Sequence, residues 1–199
     1  MKVLVIGGTR GIGLDIVNHF NGDSISRTGT DPGFNIRRDA DRQTITQLTL
    51  DYDLVVNHAF AGDFSQTLML NEIFQAWKLS NKIGYLINSG SDASKLYRMK
   101  SGKDPMYAVL KESQNILSHI ISRGIQEGNV PMRYTNIIYG MLDTEKARER
   151  PHYKNGVRGA DICKVIEMLY NLPTDCLIPE FVMEARDPET RSKWAESGL

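Results

Sequence analysis

Tyr107 and Lys111 stand four residues apart, directly behind Asp104-Pro105. Aspartate caps well and proline is tolerated in a first turn, so a helix is expected to start there. The phenol and the amine would then share one helix face, with Cβ atoms about 6 Å apart. A free tyrosine titrates near ~10, so exchanging its proton near neutrality takes about 4 kcal/mol of help. An ammonium held away from water beside it supplies help of that kind. Taken alone the pair is weak, since a tyrosine and a lysine four apart are common on helix surfaces.

A second constellation lies near the start of the chain, where G-G-T-R-G-I-G follows the apolar run Val3-Leu4-Val5-Ile6. The order predicts a strand feeding a glycine turn that opens a helix. Gly7 would turn the chain off the strand, Gly11 would admit a pyrophosphate close to the backbone, and Gly13 would let the helix pack on the sheet. The unpaired amides of the helix would face the phosphate. About twenty residues further on, where an NAD site carries an acid for the ribose hydroxyls, stand Ser26, Arg27 and Thr28. Hydroxyls and a planar guanidinium, with Arg10 from the turn, suit a 2'-phosphate, so NADP (NADPH) is expected and NAD is the less favoured cofactor. The plainer reading of both arginines is solvated surface charge.

The elements that must position these residues are legible as apolar runs. Val3 to Ile6, Leu54 to Val56, Tyr85 to Ile87, Tyr134 to Ile138 and Leu177 to Val182 are continuous rather than alternating, as in strands covered on both faces. Between them lie stripes at helical spacing: Ile12, Ile16, Val17 and Phe20; Leu70, Ile73, Phe74 and Trp77; Leu110, Leu117, Ile120 and Ile121; Ile162, Val165, Ile166 and Leu169. Alternating β and α predicts an α/β domain with a doubly wound parallel sheet. After the strand at Ser24 to Ser26 there is no room for a full crossover helix before a short strand candidate, Phe34 to Ile36. The sheet is therefore expected to be abbreviated after its second strand. The charged run Arg37 to Arg42 reads as a solvated loop.

With 199 residues and 41% hydrophobic content the chain can bury one core, and residues 1–199 are read as a single domain. Lys plus Arg equals Asp plus Glu at 24 each, so no overall field draws the chain to nucleic acid or an anionic membrane. No apolar run suits a signal peptide or a bilayer span, which makes the cytoplasm the expected location. Cys163 and Cys176 fit neither a disulfide framework nor a ligand spacing and are expected as buried, reduced thiols. His19, His58, His119 and His152 are not paired at i, i+4, and no metal is expected.

Taken together and in this order, the motifs resemble the short-chain dehydrogenase/reductases along nearly the whole chain. That family's glycine motif is similar to Gly7, Gly11 and Gly13, with Ile6 where a threonine is usual. Its N-N-A-G is similar to Asn57-His58-Ala59-Phe60, and its helix asparagine to Asn71 in L-N-E-I-F. The serine strand resembles Ile87-Asn88-Ser89-Gly90-Ser91, which puts the catalytic position at Ser91, with Ser89 as the alternative register. Y-x-x-x-K is Tyr107 to Lys111, and N-x-x-P-G-x-x-x-T is similar to Asn136 through Gly140 to Thr144, with Tyr139 in place of proline.

The resemblance implies a single-domain Rossmann-type fold and a catalytic set of Asn71, Ser91, Tyr107 and Lys111. Tyr107 would be the general acid/base in hydride transfer with a small carbonyl or alcohol substrate. Lys111 would support it and hold the nicotinamide ribose, and Asn71 would hold a relay water. The cofactor would touch Gly7, Thr9, Arg10, Gly11, Ile12, Gly13, Ser26, Arg27, Thr28, Asp39, Asn57, Ala59, Tyr107, Lys111, Gly140 and Thr144. A homodimer through the helices holding Asn71 and Tyr107 is implied, with a tetramer as the alternative.

The departures matter as well. The segment after Thr144 is compact, which predicts a short lid and an open site. Lys95, Arg98, Lys100 and Lys103 lie in the connection to Tyr107, either as a solvated loop or as a mouth favouring anions. The competing function is a non-catalytic NADP(H)-binding regulator that retains the fold, motivated by Phe60, Tyr139 and the short lid. An epimerase or dehydratase of the extended relatives is disfavoured, because no substrate domain follows the sheet.

Overall fold

The computed structural model describes residues 1–94, 105–128, 130–150 and 153–185. Six strands form one parallel sheet: β1 (Val3–Ile6), β2 (Asp23–Ile25), β3 (Leu54–Asn57), β4 (Tyr85–Ser91), β5 (Arg133–Tyr139) and β6 (Glu180–Met183), in the order β2-β1-β3-β4-β5-β6. The continuous apolar runs become strands because successive residues enter different cores. Leu4, Ile6, Val55, Leu86 and Tyr134 pack on one face. Val3, Val5, Leu54, Val56, Ile87 and Ile137 pack on the other.

Helices close both faces. On the first face lie α2 (Asp39–Leu48), α3 (Ser65–Leu79) and α4 (Pro105–Gly128), bringing Ile45, Ile73, Trp77, Ile121 and Ile125 into the core. On the second lie α1 (Gly11–Phe20) and α6 (Gly159–Asn171), through Ile12, Ile16, Ile162 and Ile166. A four-residue helix, α5 (Glu145–Arg148), follows β5. Among the described residues no helix is long and apolar enough to cross a membrane.

Chain order reverses at β1, which pairs with β2 on one side and β3 on the other. That switch point opens a crevice at the carboxyl ends of the strands, the usual ligand position in such sheets.

Several expectations need correction. Phe34 to Ile36 forms no strand, so the sheet ends at the three residues of β2. The charged run from Arg37 is not a solvated loop: Asp39 to Arg42 open α2. A mean hydropathic pattern could not reveal this helix, because one of its inward residues is an arginine. Arg42 is 5% exposed and bonds Glu72, Asp39 and the Ile36 carbonyl. Ile120 leaves its expected stripe for the surface, while Gln114 and Ser118 take inward places on α4. Cys163 is buried as expected, but Cys176 is exposed, in the turn ahead of β6. Asp104, His152 and the basic connection Lys95, Arg98, Lys100 and Lys103 lie outside the described residues.

Candidate active site

The glycine turn is built by close approach. Gly7 has φ +96, and a Cβ there would sit 2.8 Å from the Ala59 backbone. A Cβ on Gly13 would stand 2.2 Å from the Gly7 carbonyl oxygen, so the first turn of α1 seats directly on the turn before it. Gly11, with φ +54, leaves its surroundings open apart from the Thr144 methyl at 3.7 Å. Arg10 occupies the α1 N-cap without a side-chain cap, so the first amides of the helix stay available. Thr144 caps α5, its hydroxyl accepting from the Ala147 amide at 3.2 Å.

In front of this turn lies a cavity of about 440 Å³. Its walls are Gly7, Thr9 and Arg10 from the turn; Ser26, Arg27 and Thr28 after β2; residues 34–37; and residues 58–61 after β3. Thr9 donates to the Ser26 hydroxyl at 3.1 Å, joining two walls. Arg10 and Arg27 are exposed, and neither forms an ion pair among the described residues. Arg37, by contrast, is held by Asp63 at 2.8 Å and by the Ala61 carbonyl.

Of the residues assigned to the cofactor, the structure brings Gly7, Thr9, Arg10, Ser26, Arg27, Thr28 and Ala59 to this cavity. Gly11, Gly13 and Thr144 stand at its glycine edge. Three others lie elsewhere, and Ile12, between Gly11 and Gly13, turns only its side chain away. The Ile12 side chain is in the core, and Asp39 opens α2 with its carboxylate on Arg42. The Asn57 amide points into the sheet, and the Gly140 amide pairs with β6 through the Met183 carbonyl. Where Asp39 was expected, Asn35 and Ile36 form the wall, and Phe34 and Arg37 flank them. Nothing in their types signalled this, because the local loop path decides it.

Next to the cavity stand the groups that could move a proton. Ser91 ends β4, and the Tyr107 hydroxyl donates to its Oγ at 3.4 Å. Ser89 turns to His58 instead, with Nδ1 and Oγ 2.9 Å apart. Lys111, 6% exposed, donates to Gln66 Oε1 at 2.9 Å, the Ser89 carbonyl at 3.2 Å and Gln114 Oε1 at 3.3 Å. Burial pulls its amine down to about 7. His58 is held down at about 4, first by burial and then by the Lys111 charge, so its imidazole is neutral.

Phe60 separates the two halves. Its ring meets Tyr107 edge-on at 5.3 Å and lies 4.9 Å from the Lys111 nitrogen, while forming part of the cavity wall. None of the described Lys111 hydrogen bonds goes to Asn71. Gln66 and Gln114 were missed by the sequence reading. The available signal was a glutamine inside an apolar stripe, since a polar group there needs a buried partner.

Beneath Lys111 runs a buried row of amides. Asn57, Asn88 and Asn136 are direct neighbours across β3, β4 and β5. Asn57 donates to Asn88 at 3.1 Å, Asn88 to Asn136 at 2.8 Å, and Gln114 to Asn88 at 2.9 Å.

No protein-family model and no curated protein sequence matches the chain. Solved structures do. Serine dehydrogenase complexed with NADP+ is 17% identical, with 93% of this chain and 95% of that one covered and a TM-score of 0.71. A betaketoacyl-[ACP] reductase from Bacteroides thetaiotaomicron is 16% identical over 96% and 98% of the two chains, with a TM-score of 0.69. The 3-alpha-hydroxysteroid dehydrogenase from Pseudomonas sp. B-0831 complexed with NADH is 14% identical over 92% and 94%, with a TM-score of 0.66. The chain thus has the fold that the short-chain dehydrogenases and reductases share.

Proposed function

We propose that the chain is a short-chain dehydrogenase/reductase, transferring hydride between NADP(H) and a small carbonyl or alcohol compound. One observation carries this reading: Tyr107 meets Ser91 beside buried Lys111, at the strand ends and next to the glycine-lined cavity. The cradle fits a dinucleotide, because the space in front of Gly11 is open and the α1 amides carry no side-chain cap. Gly7, Thr9, Gly11 and Gly13 would hold the pyrophosphate, with Arg10, Ser26, Arg27 and Thr28 at the 2'-phosphate. When bound, the nicotinamide supplies or accepts the hydride.

The residues of the chain do the rest. A carbonyl oxygen gaining hydride builds negative charge, and the Ser91 and Tyr107 hydroxyls are aimed together to donate to it. Tyr107 gives its proton in reduction and takes it back in oxidation. Lys111, one turn further along α4, supports that exchange by its charge. Activity is tested by following NADPH oxidation against a panel of ketones and aldehydes. Tight NADPH binding with no turnover of any compound favours the second reading, a regulator that retains the fold. One observation supports that alternative: the Lys111 hydrogens are all engaged, and Phe60 covers the face nearest the cavity.

Cofactor choice gives a separate result. The wild type should use NADPH at least tenfold better than NADH, and Arg27→Ala should reduce NADPH affinity roughly 10- to 100-fold while barely changing NADH affinity. A charge-assisted hydrogen bond contributes about 1.5–3 kcal/mol, which is that range. Equal use of both cofactors by the wild type overturns the assignment.

The reading includes a cytoplasmic homodimer. Val109, Ile116 and Ile120 are exposed along α4, as are Leu68 on neighbouring α3 and Phe64 just before it. The two helices are tied by a Thr67–Ser113 contact at 3.3 Å. Two copies pairing through this surface would cover it. Light scattering should give twice the chain mass for the wild type and the single mass for an Ile116→Lys, Ile120→Lys variant. A monomeric wild type removes the dimer.

A further inference from the structure

We propose that Gln66, in the first turn of α3, is the residue that positions Lys111 behind Tyr107, and that Asn71 takes no part in it. This deepens the reading above and rests on it for its catalytic meaning. Gln66 is 2% exposed. Its amide nitrogen donates to the Asn57 carbonyl at 3.2 Å and to the Ser89 carbonyl at 3.4 Å. Both partners can only accept, so the amide cannot be turned over. Its oxygen must face the other way, where the Lys111 nitrogen donates to it at 2.9 Å.

Gln114 is fixed by the same logic. Its nitrogen donates to Asn88 Oδ1 at 2.9 Å, which leaves its oxygen for Lys111 at 3.3 Å. The Ser89 carbonyl at 3.2 Å is the third acceptor. An ammonium has three hydrogens, and these acceptors use them all. Asn71 lies five residues past Gln66 on α3, a rotation of about 140° away from it at 3.6 residues per turn.

Among the described residues, only neutral dipoles therefore hold this buried charge. From α3 and β4 it meets amide and carbonyl oxygens. From the loop after β3 it faces the Phe60 ring and His58, whose imidazole is uncharged, and on its own helix Tyr107 stands one turn back. With no carboxylate in contact among the described residues, exchanging one amide oxygen for another group must change how strongly Lys111 keeps its proton.

The test is a lysine 13Cε NMR titration of the full chain without cofactor, with Lys111→Met identifying the signal. Gln66→Glu should raise the Lys111 midpoint, and Gln66→Met should lower it, each by about one pH unit or more, a tenfold change in proton affinity. Gln114→Met should lower it less, and Asn71→Ala should leave it in place. In turnover, the pH profile should follow the same directions. A midpoint unmoved by Gln66→Glu, or moved as far by Asn71→Ala, overturns the proposal. Should Gln66→Met fail to fold, the Gln66→Glu result decides alone. Because the midpoint needs no turnover, the expected shifts in a chain that reduces no carbonyl compound keep the clamp and remove the oxidoreductase reading. An active enzyme with an unmoved midpoint removes the clamp alone.

Discussion

Replacing Tyr107 by phenylalanine should lower turnover by 10²- to 10⁴-fold, the range general acid/base groups supply, equivalent to about 3–5 kcal/mol of barrier. The substitution deletes one oxygen and keeps the ring that packs edge-on against Phe60. The hydroxyl's described bond, to Ser91 at 3.4 Å, is long for two hydroxyls and contributes little to folding. Stability and NADPH affinity should therefore stay within error of the wild type, so that the loss falls on kcat. Single-turnover kinetics with NADPH and an accepted carbonyl substrate check this, alongside a fluorescence titration of NADPH binding. If the variant retains more than about a tenth of the wild-type rate, Tyr107 is not the proton donor, since such groups rarely contribute so little.

The largest stability effect should come from Trp77→Ala, at about 3–5 kcal/mol, against a total of roughly 5–15 kcal/mol for a domain of this kind. Trp77 is fully buried, and its indole nitrogen donates to the Thr49 hydroxyl at 2.9 Å. That hydroxyl donates onward to the Thr46 carbonyl at 2.6 Å, so the ring ties α3 to the end of α2 as well as filling the core. Gly84 shows how tightly the ring is enclosed, for a Cβ there would stand 2.9 Å from it. Truncation leaves a cavity and removes the donor that the Thr49 hydroxyl accepts from, and the two costs accumulate. Trp77→Phe should lose clearly less, since most of the volume remains. Urea denaturation measures both, and a loss below 1 kcal/mol for the alanine variant would show that the neighbouring elements collapse onto the gap.

What the sequence made legible follows from how each element is built. β1, β3, β4 and β5 read plainly, because a strand covered on both faces has to be apolar at every position, and α1, α3 and α6 carry clean apolar stripes. α2 did not read, because an arginine stem and a threonine stand beside Ile45 on its buried side, and a charge-rich run looks solvated until its partners are known. The glycine turn was legible down to its spacing, since only glycine fits where backbone meets backbone at Ala59 and at the Gly7 carbonyl. The surroundings of Lys111 were not. Gln66 reaches it from α3, whose placement against α4 no local pattern encodes, while Gln114 stands three residues further along its own helix. Residues 34–37 became a cavity wall because β2 is followed by an irregular loop instead of a helix and strand, a path set by tertiary packing.

The amide row beneath Lys111 has a consequence for how the chain finds its alignment. Parallel strands rich in valine, leucine and isoleucine offer many nearly equivalent pairings, because one apolar side chain substitutes readily for another. Asn57, Asn88 and Asn136 remove that degeneracy, since Asn57 can donate to Asn88 and Asn88 to Asn136 only when all three stand level. Sliding any one strand by a single residue would turn its asparagine to the opposite face, among the apolar side chains, and strand its neighbours without partners. Each abandoned amide costs about 1–3 kcal/mol, so a misaligned central sheet is penalised more than once for a single slip. The three asparagines act as the key that allows β3, β4 and β5 to close in one alignment only.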